Sequence, residues 1–217
     1  TKEDLSNENF KFGTGKNINL NSIDVWAQRL SYVGELGYEL YVQKDKGKEI
    51  YDLIINIGKD FGLTHCGAHT MDTMRMESGF LHWGHDISPE ENQYQAGLNF
   101  TISFKKVFDF IGKEKLLRLR DQKLDRRFIM LVLKKSKPGE PLLLHEEPIY
   151  LDDKIIGKTT SGNYSFNYNK NLSFGYIKCD FSNEQLVNKN LYIEIEKKKY
   201  PAELLTKPLK ANNFKNI

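Results

Sequence analysis

EPIYLDDKIIGKTTSGNYSFNYNKNLSFGYI, residues 147–177, alternates short β-like runs with turn signals. Apolar and aromatic residues gather in "PIYL", "KIIG" and "LSFGYI", and Asp, Asn, Ser and Gly punctuate the intervals. The same rhythm continues outward, through "RFIMLVL" and "PLLLHEEPIYL" on one side and "NLYIEIE" and "KYPAELL" on the other. Strands this short and this regularly spaced predict a small barrel or sandwich. Its start is expected near Asp125, giving a β domain over 126–217 behind a mixed body over 1–125, an α+β chain in all. Within the quoted stretch "TTSG" (159–162) lacks the Gly-x-x-x-x-Gly-Lys arrangement and opens no helix, so it reads as a tight β-turn and not a phosphate loop.

Upstream the pattern changes. Residues 1–21 are polar and turn-rich and are expected to run over a surface. Residues 23–32 (IDVWAQRLSY) and 37–42 (GYELYV) read as two strands joined by a Gly-containing turn at 33–36. Ile50, Leu53, Ile54, Ile57 and Phe61 recur at helical spacing and form one apolar stripe, with Gly62 at the C-terminal cap position. "CGAHTMDTMRMESG" predicts a second helix closed by Gly79, with Met71 and Met74 turned to the core. "FLHWGHDISPEENQYQAGLNFTISF" is a loop rich in aromatic residues and histidine that leads into a strand. "FIGKEKLLRLRDQK" predicts a third helix, with Gly112 just before it and Leu116 and Leu117 on its inner face.

Composition excludes several classes of function. The 217 residues carry 39% hydrophobic and 28% charged residues, ordinary for a globular protein, and a net charge of +3 too small to argue for nucleic acid. No run of roughly 18 apolar residues is present to span a membrane. Cys66 and Cys179 form no CxxC pattern and are expected to be core thiols, which suits a reducing, cytoplasmic setting. A start at Thr1 implies a processed chain or part of a longer one.

Candidate chemistry concentrates in three places. His65, Cys66 and His69 lie close together, and His82, His85 and Asp86 form "HWGHD". A metal needs convergent ligands on a defined element, which this spacing does not supply, so structural or substrate-shaping roles are preferred and no metal is expected. Arg75, on the second helix, reads as a surface residue or a buried pair. The third place is RLSYVGELGYELYV, residues 29–42, which sets Glu35 and Glu39 in an apolar hairpin. In a strand, Tyr38 and Leu40 face one side and Glu39 and Tyr41 the other. A glutamate there either lies on a solvated face, the plainer reading, or awaits a partner.

Taken together, "LSYVGELGYELYV", "DTMRMESGFLHWGHDISPEENQYQAGL", "FIGKEKLL", the quoted β stretch and "YPAELLTKPL" resemble, in order, the folate-binding T-protein family. "SYVGELGYE" and "HWGHDISPE" resemble the branch fused to flavin-dependent dimethylglycine and sarcosine dehydrogenases. The resemblance implies the end of a T-protein-like α/β body followed by a small C-terminal β-barrel. It implies that Tyr32 and Glu39 line a tetrahydrofolate pocket, with Arg75, His82 and Trp83 as further cofactor-binding residues. The chemistry suits Glu39, because a pterin presents two donors side by side and an ionised carboxylate accepts both. Glu35, in the turn, is expected to be structural or at the rim.

The resemblance also implies what these residues lack. The family's catalytic aspartate would lie before Thr1, and Asp4 and Asp24 sit in the wrong context to replace it. Met71 stands where glycine-cleavage relatives carry an arginine for the folate tail, and Arg75 lies one turn further on. FAD would belong to an N-terminal flavin oxidoreductase domain, since no Gly-x-Gly-x-x-Gly follows a strand here. The expected activity of the whole is transfer of a one-carbon unit from an N-methyl amine such as dimethylglycine or sarcosine to tetrahydrofolate, giving 5,10-methylenetetrahydrofolate. The chain by itself is expected to be an incomplete catalyst. The alternatives are a flavin-independent aminomethyl- or methyltransferase of glycine-cleavage or sulfonium-demethylase type, and a folate-binding module without turnover.

Overall fold

The computed structural model describes residues 1–187 and 189–210, so residues 188 and 211–217 of the expected β domain lie outside the described residues. The chain divides into two units, Thr1–Ser78 with Lys210, and Gly79–Leu209.

In the first unit β1 (Gly15–Leu20), β2 (Ile23–Gln28) and β3 (Glu39–Tyr41) form an antiparallel sheet in that order. β1 corrects the expectation of a surface loop over 1–21. Asparagines at 17 and 19 mask its period-two pattern, yet Ile18 is buried and the strand pairs with β2 along its whole length. The expected hairpin is present with shorter strands, Gln28 opposite Glu39, and a ten-residue connection over 29–38. α1 (Gly47–Gly58) buries Ile50 and packs Leu53 and Ile54 against Phe10, Val25 and Ala27. Its stripe stops there: Ile57 and Phe61 are exposed. Gly62 takes the left-handed conformation at φ 70° and caps the turn that follows.

α2 (Ala68–Glu77) departs further from expectation. Met71 is exposed, whereas Arg75, Met76 and Glu77 are buried. Cys66, just before it, is exposed and not a core thiol.

In the second unit no strand follows the His-rich loop; a single 3₁₀ turn, Asn99–Thr101, stands in its place. α3 (Lys113–Arg120) begins after Gly112 as expected. Then come β4 (Arg126–Leu133), β5 (Pro148–Leu151), β6 (Lys154–Ser165), β7 (Lys170–Lys178), the short α4 (Asn183–Val187), β8 (Leu191–Ile195) and β9 (Lys198–Leu205). The six strands close into an antiparallel barrel in the order β4-β7-β6-β5-β8-β9, which leaves no open sheet edge. Alternate residues fill it: Ile129, Leu131 and Leu133 from β4, Ile149 and Leu151 from β5, Leu191, Ile193 and Ile195 from β8. Gly157 lets β6 and β7 approach, because a Cβ there would stand 1.9 Å from the Tyr176 carbonyl oxygen.

"TTSG" is not a turn. It lies inside β6, where the register shifts between Thr159, opposite Gly175, and Ser161, opposite Phe174, leaving Thr160 as the extra residue of a β-bulge.

β7 is buried on both faces, and its outer side carries Tyr176 against Phe128, with the Arg126 guanidinium 5.5 Å above its ring. The Tyr176 hydroxyl has no hydrogen-bond partner among the described residues, and the residue is 6% exposed. Burial first, then the charges of Glu91 and Asp86, push its pKa well above the ordinary 10.0. Above that pH the unfolded chain loses a proton that the native chain keeps, so stability falls as pH rises. Tyr176→Phe is expected to raise stability at neutral pH by about 1 kcal/mol, since an unpaired buried hydroxyl is lost. It should also flatten the decline in alkali. Urea unfolding at neutral and alkaline pH checks both signs, and a loss at neutral pH would contradict the unpaired hydroxyl.

Candidate functional site

The first unit carries Tyr32, Glu39 and Arg75, and the second carries His82 and Trp83.

Glu39 opens β3 on an exposed position. Its Oε2 accepts a hydrogen bond from the Tyr41 hydroxyl at 2.8 Å, as the shared face of a period-two strand requires. That bond, and then the charge of Glu39, raise the Tyr41 pKa above 10.0. A carboxylate has about four acceptor positions, so one phenol leaves room for a two-donor ligand edge. Tyr32 is half-buried in the connection before β3. Glu35 pairs with the Lys210 ammonium, and its backbone N–H donates to Ser31 Oγ at 3.0 Å, which ties the connection to the end of the described chain.

Arg75 is 1% exposed and donates from Nε to Asp72 Oδ1 at 2.7 Å. The pair is one helical turn apart, so the guanidinium is held against its own helix. Met71, on the preceding turn, is exposed.

The second unit presents "HWGHD" as a tight turn. The His82 carbonyl accepts from the backbone N–H groups of His85, Asp86 and Ile87, and Gly84 N–H donates to the Ile87 carbonyl at 2.8 Å. Gly84 sits at φ +92°, a conformation that a side chain would strain. The His82 and His85 rings lie 4.5 Å apart, and Trp83 projects outward, 65% exposed. Asp86 is 1% exposed. Its Oδ1 accepts from Thr160 Oγ1 at 2.5 Å and Ser161 Oγ at 2.8 Å, and its Oδ2 from the His82 backbone N–H at 2.9 Å. Next to the turn, Glu91 accepts from Ser88 and pairs with Arg126 at 2.9 Å.

His65 is exposed beside Tyr51, their polar atoms 3.4 Å apart, and His69 is exposed on α2. Among the described residues no three His, Cys, Asp or Glu side chains gather as a metal site would need. Asp4 is exposed and accepts from the Ser6 backbone N–H and Asn9, and Asp24 accepts from Asn19. Sequence reasoning weighed Asp86 only as a metal ligand and did not join it to Thr160 and Ser161. A buried-acid signal was absent because Asp86 lies more than seventy positions from Thr160 and Ser161.

Comparison with known proteins places this architecture. Residues 1–106 match the GCVT N-terminal domain, and residues 126–210 match the glycine cleavage T-protein C-terminal barrel domain. The chain belongs to the glycine cleavage T-protein family. It is 35% identical to human mitochondrial dimethylglycine dehydrogenase over 96% of its own length and 23% of that protein. It is 32% identical to the aminomethyltransferase of Alkaliphilus oremlandii, over 95% of its length and 54% of that enzyme. The crystal structure of the glycine cleavage system aminomethyltransferase T from Bartonella henselae superposes with a TM-score of 0.79 at 18% identity, covering 94% of this chain and 54% of the other, a likeness of fold. The chain thus spans about a quarter of the dehydrogenases it matches and about half of the aminomethyltransferases.

Proposed function

We propose that these residues form the C-terminal folate-binding part of an enzyme that moves a one-carbon unit from an N-methyl amine, such as dimethylglycine or sarcosine, to tetrahydrofolate. The observation that carries the reading is Glu39, an exposed carboxylate with acceptor capacity to spare, in a chain matched by both T-protein domains. In this reading Glu39 accepts the paired donors of the pterin edge, and Tyr41 fixes the carboxylate rotamer. Tyr32, in the connection before β3, supplies an apolar wall. Tetrahydrofolate, once bound, supplies the nitrogen that captures the one-carbon unit. Arg75 supports this arrangement by fixing α2, because its guanidinium is already engaged with Asp72. The redox step is assigned to a flavin part outside these residues. Both cysteines are free, which suits a reducing compartment, and no described helix is long and apolar enough to cross a membrane.

A second reading is a flavin-independent aminomethyltransferase, favoured by a similar degree of identity to such enzymes over nearly the whole chain. One experiment separates the two. The polypeptide that contains these residues, given dimethylglycine or sarcosine with tetrahydrofolate, is expected to form 5,10-methylenetetrahydrofolate with reduction of a bound flavin, and the 217 residues alone are expected to form none. Methylene product formed without flavin reduction from an aminomethyl donor already at the formaldehyde oxidation level, and none from the two amines, selects the transferase, and absence of the methylene product from both amines overturns the proposal.

A further inference from the structure

The geometry points to Asp86 as a positioning residue that clamps the His82–Trp83 turn onto barrel strand β6. Three donors converge on this one buried carboxylate: the hydroxyls of Thr160 and Ser161, and the backbone N–H of His82. Consecutive residues of a regular strand point to opposite faces, so Thr160 and Ser161 could not ordinarily reach the same oxygen. The bulge in β6 removes that constraint by setting Thr160 as the extra residue between Thr159 and Ser161. The irregularity in the strand and the acid in the turn therefore form one device.

Its effect is on the turn. Residues 82–87 expose Trp83 and contain no helix or named strand. A segment of this kind ordinarily samples many conformations. Here the carboxylate holds its first residue to the barrel through one oxygen and the barrel hydroxyls through the other. Charge-assisted bonds are short and strong. The indole is thereby presented in a fixed place although most of its surface meets solvent. The use of that presentation, an aromatic surface offered to a ligand, rests on the function proposed above. The clamp itself does not.

Asp86→Leu tests it. A leucine keeps much of the side chain's bulk and accepts no hydrogen bond, so all three bonds are lost. A second variant, Thr160→Val with Ser161→Ala, keeps the acid and removes two donors, and it decides the matter if the first fails to fold. Backbone ¹⁵N order parameters over residues 82–87 of the 217-residue chain are expected to fall from about 0.85 to below about 0.6 in both variants, with strands β4 and β8 unchanged. Combining the substitutions should lower them no further, because both remove the same contact. Rigid values in either folded variant overturn the clamp.

Tetrahydrofolate titration of the longer polypeptide adds the functional arm. A dissociation constant about tenfold higher in Asp86→Leu, equivalent to about 1.4 kcal/mol, is expected. Loosening of the turn with an unchanged constant refutes the positioning role. No binding by the unsubstituted protein refutes the folate reading, while the order parameters still decide the clamp.

Discussion

Leu131→Ala will destabilise the barrel by about 2–5 kcal/mol, the cost of removing a buried leucine and leaving a cavity. Leu131 is 0% exposed and lies in the barrel core with Ile129, Ile149 and Ile193, on a strand bonded to β7 on one side and β9 on the other. A closed barrel of six strands has little freedom to collapse around the gap, because moving one strand breaks two ladders. Unfolding in urea followed through Trp83, which belongs to the barrel's unit, measures the loss. Ile57→Ala, at an exposed position on α1, is the control and should change stability by less than about 0.5 kcal/mol. A loss below about 1 kcal/mol for Leu131→Ala would mean that the interior is not packed as described.

Glu39→Gln will weaken tetrahydrofolate binding to the complete polypeptide by about 1.5–3 kcal/mol, the range for a hydrogen bond to a charged group. That corresponds to roughly ten- to hundredfold in dissociation constant. The substitution keeps the shape, removes the charge, and places an amino group where the two-donor edge needs an acceptor. A local control is built in. The Tyr41 pKa is raised chiefly by its bond to Glu39, so Glu39→Gln should return its titration toward 10.0 whether or not folate is present. Glu35→Gln should have a smaller effect on binding, because Glu35 is engaged by Lys210. Equal losses from the two substitutions would remove Glu39 from the ligand edge.

These two sites differ in how far they are legible in the amino-acid sequence. The barrel is visible as six apolar runs separated by turn residues, because period-two burial is a local property that each strand writes into its own residues. The choice of a closed barrel over a sandwich belongs to the pairing of β4 with β9, from Met130 opposite Leu205 to Leu133 opposite Ala202, residues far apart along the chain. The hairpin around Glu39, α1 and the Gly62 cap are local in the same way, and so is the family resemblance, which rests on ordered motifs. Glu39 itself stayed open between solvent and a partner, since exposure depends on what covers a strand and not on the strand's own pattern.

The sequence by itself therefore determined the barrel's strands, the helices α1 to α3, the hairpin and the family. Only the tertiary structure decided the rest. β1 is a strand because β2 offers it a full ladder, although its asparagines weaken the pattern. Arg75 is buried while Met71 is exposed, the reverse of what side-chain polarity predicts, because Asp72 supplies the charge that makes burial of a guanidinium tolerable. Asp86 becomes a clamp only when the bulge in β6 brings Thr160 and Ser161 to it. Periodicity records which way a residue faces. It carries no record of which distant donors a folded register will set opposite a carboxylate, and that pairing is what turns a polar turn into a held surface.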